Sequence, residues 1–166
     1  MVGQSLSERL SVMPAVVVTG ARQTGKSTLV RDLLPGERRF FTLDDLDIVD
    51  LARRDPDSLV GGRHPVTLDE VQREPGILLA VKRAIDEQRQ AGRFLLTGSA
   101  NLLLMKRVSE SLAGRASYLT LWPMTRRELL GLGRCGIWDE LLAASDDDWP
   151  EIIGRQPVEL EDWGRL

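Results

Sequence analysis

The sequence predicts an α/β domain built on a five-stranded, mainly parallel sheet. Three observations point there. Five short apolar runs recur at residues 15–19 (AVVVT), 39–43 (RFFTL), 65–68 (PVTL), 94–97 (FLLT) and 118–121 (YLTL). Unbroken runs of this length suit strands buried on both faces. Amphipathic stretches separate them, and strand–helix alternation favours parallel strands joined by crossover helices. A glycine-rich loop, GARQTGKST at 20–28, joins the first run to the first helix.

The elements follow in order. Residues 1–12 read as an N-terminal helix or arm. After the first strand, 26–34 sets Leu29, Val30, Leu33 and Leu34 on one side of a helix. A helix over 45–54 is acidic at its start and basic at its end, which suits the helix dipole. Pro75 and Gly76 open a helix running to Gln90, with Ile77, Val81, Ala84 and Ile85 at helical spacing and Gly92 as its stop. Residues 101–112 carry another apolar face. Beyond Leu121, Gly131, Gly133 and Gly136 break the chain, 137–144 reads as a short helix and 146–148 as a solvated turn. The sequence thus divides into a core over 1–130 and an irregular or helical tail over 131–166.

Composition narrows the function classes. With 166 residues the chain has room for one domain with a proper core. A formal net charge of -3 gives no footprint of a dedicated nucleic-acid binder. The single cysteine, Cys135, makes neither an intrachain disulfide nor a cysteine zinc cluster, and a reducing cytoplasm is the simple expectation. No signal-peptide pattern and no membrane-spanning apolar run is present. His64, the only histidine, lies in a Gly-Gly-Arg-His-Pro turn and reads as structural. Trp122, Trp138, Trp149 and Trp163 all fall in the last third, as a satellite cluster or an interface surface. Lysine occurs only at Lys26, Lys82 and Lys106, which singles out Lys26.

The loop at 20–28 has the chemistry of a phosphate cradle. Gly20 and Gly25 let the backbone pass close to phosphate oxygens. Amides of Ala21, Arg22, Gln23, Thr24, Gly25, Lys26, Ser27 and Thr28 then turn inward at a helix start. Lys26 reaches the terminal phosphates, and the Ser27 hydroxyl is a ligand for Mg2+. A second acidic element, PVTLDEVQ, ends the third run. Asp69 is placed to hold the magnesium shell, and Glu70 to orient and deprotonate an attacking water. The fourth run ends in LTGSAN, where Thr97, Ser99 or Asn101 can sense a γ-phosphate; Ser99 is also suited to cap the following helix. Arg115, just before the fifth run, is a candidate for neutralising transition-state charge or else a surface arginine paired with a carboxylate.

With these motifs in order, the chain resembles a bacterial and archaeal group of AAA-type P-loop ATPases. The matching stretches are GARQTGKST, FFTLDD, PVTLDEVQREPGILLAVKRAID, GRFLLTGSANLLL and VSESLAGRASYLTLWPMTRREL, over roughly residues 13–130. The resemblance implies a three-layer P-loop core of the additional-strand type, with the sensor strand between the P-loop strand and the Walker B strand. It implies Asp44 and Asp45 as an acidic pair near the nucleotide, Asp69 and Glu70 as the Walker B pair, and Arg115 as a finger or sensor. Members of that group usually run more than twice this length, into a lid-like helical region and a C-terminal domain of unknown function. The tail is therefore read as the start of that region.

Three functions fit the residues. The first is Mg-dependent ATP hydrolysis coupled to conformational change in a partner or an attached domain, the chain's partners being ATP and a protein partner or further copies of itself. The second is a small-molecule kinase using the same cradle, which the adjacent Asp69–Glu70 pair disfavours by pointing to water as acceptor. The third is a nucleotide-binding or scaffold protein with little hydrolysis.

Overall fold

The computed structural model describes residues 2–32, 36–99, 112–129 and 141–154. The chain divides into two compact units, Met1–Pro123 and Met124–Leu166. The first holds α1 (Val2–Val12), β1 (Ala15–Gly20), α2 (Lys26–Asp32), β2 (Arg39–Thr42), α3 (Leu46–Arg54), α4 (Pro56–Val60), β3 (Val66–Asp69), α5 (Ile77–Glu87), β4 (Phe94–Ser99) and β5 (Ala116–Thr120). All strand pairs are parallel, in the order β2-β3-β4-β1-β5. The fold class expected from the sequence is the one observed.

The apolar runs form strands because both faces of the sheet are covered. Alternate residues of β1 point to opposite sides. Ala15 and Val17 join a core with residues of α3, α4 and α5, including Val49, Leu59, Val81 and Ile85. Val16 and Val18 join a second core with Leu6 of α1 and Leu29 and Val30 of α2. Every residue of β1 is buried. Each large apolar side chain so buried contributes about 1.5–3 kcal/mol, which overrides the modest propensity of any single run.

Local signals set the helix boundaries. Asp45 caps α3, its carboxylate accepting from Asp47 N. Asp55 caps α4 with Pro56 in the first turn, a start signal that the sequence reading passed over. The helix expected to run from Pro75 to Gln90 is shorter, Ile77–Glu87. At its end Ala84 O accepts from Gln88 N at 3.2 Å and also from the Arg93 guanidinium at 2.7 Å, which reaches Gln88 O at 3.3 Å as well.

The second unit is described only in part. It contains α6 (Arg126–Leu129), a 3-10 turn at Asp146–Asp148 where a solvated turn was expected, and α7 (Trp149–Gly154). Trp149 Nε1 donates to Leu141 O at 3.1 Å. In the first unit Trp122 is 76% exposed. Trp138, Trp163, Cys135, the glycines at 131, 133 and 136 and most of the expected helix at 101–112 lie outside the described residues. Among the described residues no helix is long and apolar enough to cross a membrane.

Candidate functional site

The site lies at the C-terminal ends of β1, β3 and β4, where open parallel sheets place ligands. The loop after β1 is shaped by its glycines. A Cβ on Gly20 would lie 2.2 Å from Leu121 O, so only glycine fits against the segment that follows β5. Gln23 at φ 63° and Gly25 at φ 83° are left-handed. Such residues turn successive N–H groups toward one side, the geometry of an anion nest. Thr24 Oγ1 closes the turn on Ala21 O at 3.0 Å.

Lys26 is 6% exposed, yet among the described residues no carboxylate pairs with it. Its Nζ donates to Ala21 O at 2.7 Å and Gly20 O at 3.3 Å. An ammonium has three donors, so two carbonyls leave one for a ligand. A buried charge held only by neutral dipoles is costly, and an anion beside it would lower that cost.

Opposite the loop stand the two acidic residues. Asp69, 5% exposed, accepts from Ser27 Oγ at 3.1 Å and from Thr97 Oγ1. The hydroxyl and carboxylate oxygens form the hard donor set that Mg2+ prefers, so the residues fit that ion. Glu70 has φ 58° and ψ 44°, left-handed for a non-glycine residue. Its N–H donates to Thr97 Oγ1 at 3.1 Å. Backbone strain of this kind costs about 1–3 kcal/mol and persists where the surroundings over-determine it. Gln72 Nε2 donates to Glu70 Oε2, and Ser99 N donates to Gln72 Oε1 at 3.2 Å. Arg73 pairs with Asp44 at 3.0 Å. Together these groups line a cleft of about 550 Å³, with Arg22, Gln23, Gly25, Lys26, Ser27 and Thr28 on one wall and Asp44, Glu70, Gln72, Arg73 and Ser99 on the other.

A glycine-rich loop, Glu70 of the acidic pair and a polar strand end thus meet in one cleft. A family model described as an AAA domain matches residues 13–130. The chain belongs to that family. At the level of the family, this match supports nucleotide binding and ATPase chemistry.

Two curated relatives of the AAA domain are uncharacterized proteins of Mycobacterium bovis and Mycobacterium tuberculosis. Each is 35% identical over 135 residues, covering 80% of this chain and 30% of the relative. The chain thus spans about a third of the length of the relatives it matches. Among solved structures, the Walker-type ATPase of Pyrococcus abyssi superposes with a TM-score of 0.58 at 15% identity, over 92% of this chain and 61% of that one. That likeness shows a shared fold.

Within the AAA domain, Arg22 through Thr28 gather at the cleft except Thr24, which shapes the turn. Of the three sensor candidates, Ser99 lines the cleft. Thr97 is fully buried and grips the acidic pair instead, because its register opposite Val18 of β1 puts it below the strand ends. Asn101 lies outside the described residues. The expected pair Asp44–Asp45 divides, Asp44 lining the cleft and Asp45 capping α3.

Arg115 is not brought to this cleft. It precedes β5 at the opposite end of the sheet, where its carbonyl accepts from Ala15 N at 3.2 Å. The distance to the loop is a strand's length, roughly 20 Å at ~3.3 Å per residue. Its guanidinium meets Asp86 at 2.6 and 3.0 Å, the carboxylate pairing that the sequence left open. Gln72 and Arg73 were missed; their only signal is that a 3-10 turn directly after Glu70 keeps nearby residues at the strand ends.

Proposed function

We propose that the chain binds Mg·ATP in this cleft and hydrolyses it, with Glu70 as general base. The observation that supports this most is that Lys26, Ser27 and Glu70 line one cavity, with Ser27 Oγ also donating to Asp69 at 3.1 Å. The loop amides and Lys26 hold the β- and γ-phosphates. Ser27 and Asp69 hold Mg2+, which when bound offsets phosphate charge. Glu70 accepts a proton from water as the water oxygen bonds to the γ-phosphorus and the bond to the leaving ADP oxygen breaks. Ser99, which lines the cleft, is the sensor candidate that this reading sets against the γ-phosphate. Coupling of turnover to a partner, a second copy or a further domain belongs to the same proposal, and so does an action of Arg115 on a neighbouring copy's nucleotide.

The test is phosphate release with no added acceptor, which separates hydrolysis from transfer to a small molecule. Glu70→Gln keeps Mg·ATP binding and slows release by about 10²–10⁴-fold. Lys26→Ala loses most affinity for a fluorescent ATP analogue. Parent-rate turnover in Glu70→Gln would sink the assignment of the base, and unchanged affinity in Lys26→Ala that of the cradle.

A further inference from the structure

Gln72 stands between the Glu70 carboxylate and the end of β4. Its partners dictate which way the amide points. A carboxylate only accepts, so it must face Nε2; a backbone N–H only donates, so it must face Oε1. Both demands are met, by Glu70 Oε2 on one side and Ser99 N on the other. Turning the amide over would break both bonds at once. The main chain of Glu70 is tied to the same strand through Thr97 Oγ1. Both ends of Glu70 are therefore referred to β4, and Ser99 itself lines the cleft.

We propose that Gln72 is a positioning residue which holds the Glu70 carboxylate in register with the end of β4, so that Glu70's orientation follows what occupies the cleft beside Ser99. The proposal rests on the reading of Glu70 as the base. The physical link is short. A phosphate oxygen drawing on the Ser99 amide weakens the bond to Gln72 Oε1. The Gln72 amide then settles on Glu70, and the carboxylate shifts with it.

Two measurements test it. In the nucleotide-free full chain, the Gln72 side-chain amide resonance is identified by its loss in Gln72→Leu. It should shift in Glu70→Ala, which removes the acceptor of Nε2, and again in the parent when a non-hydrolysable ATP analogue fills the cleft. A resonance unmoved by both overturns the proposal whatever the turnover. In kinetics, Gln72→Leu should lower kcat about 10–100-fold, the scale of a misplaced catalytic group, with the KM for ATP unchanged. A residue with a merely structural role moves neither readout. Parent kcat in Gln72→Leu beside an inactive Glu70→Gln overturns this proposal and leaves the base standing. Full activity in Glu70→Gln removes the base itself.

Discussion

At the scale of single residues, the two loop glycines are required for different reasons. Gly20 is required by space, since Leu121 O occupies the position of a Cβ. Gly25 has open space around that position but sits at φ 83°. Gly20→Ala must push β1 from its neighbouring segment, and should cost about 1–3 kcal/mol, the range for overpacking. Gly25→Ala meets no atom and should cost roughly 1–2 kcal/mol for the left-handed backbone alone. Urea unfolding of the two variants measures both. Moderate loss in each is expected; an unaffected Gly20→Ala would mean that β1 and the segment after β5 are further apart. The motif made both glycines legible in the sequence. It could not separate their reasons, because one depends on a residue a hundred positions away.

At the scale of elements, Arg93 and Arg38 show what one arginine side chain can tie together. Arg93 is 5% exposed and bonds Ala84 O, Gln88 O, Val60 O and Gly62 O, so one side chain closes the ends of α4 and α5 against β4. Burial pushes its guanidinium pKa down, partly opposed by Glu87. Burial likewise pushes Arg38 down to about 10, still charged at neutral pH, where it bonds Thr67 Oγ1, Gly92 O and Val66 O. Only a planar fork with five donors can serve several carbonyls at once. Arg93→Met keeps volume but removes these four side-chain hydrogen bonds, and should cost about 2–4 kcal/mol in thermal or urea unfolding. A near-parent melting temperature would show that water replaces the guanidinium. Arg115 and Asp86 join α5 to the start of β5 at a more exposed position. The hydrogen bond and charge of Arg115 hold the Asp86 carboxyl below its ordinary value. A depressed carboxyl stabilises the fold above its unfolded pKa and loses that as pH falls through the folded one. The Asp86→Asn difference in stability should therefore shrink as pH falls below about 4. It should also shrink with salt, because the pair is exposed.

At the scale of the whole molecule, every described residue of the cleft belongs to the unit Met1–Pro123. A chain ended after Pro123 should keep the ATP-analogue affinity of the full chain, as titration would report. Lost affinity would mean that the later residues complete the site. Arg115, roughly a strand's length from its own loop, does not line the cleft. If it acts on a second copy, phosphate release per chain rises with protein concentration, and Arg115→Ala removes that rise. Gains from a finger supplied in trans reach about 10³–10⁵. Activity linear in protein, in parent and variant alike, leaves Arg115 as the partner of Asp86.

The sequence by itself determined the parallel α/β class, the cradle at 20–28 and the acidic pair at Asp69 and Glu70. These are local patterns: a strand, a turn and a helix start within a few residues of each other fix which backbone and side-chain groups sit together. The place of β4 between β1 and β3 came from resemblance, since no periodicity reports which distant strands pair. Only the tertiary structure decided that Thr97 grips the acidic pair while Ser99 reaches the cleft, that Gln72 bridges Glu70 and Ser99, and that Arg115 faces away. Those facts depend on register and strand order, which bring groups 27 or more positions apart into contact.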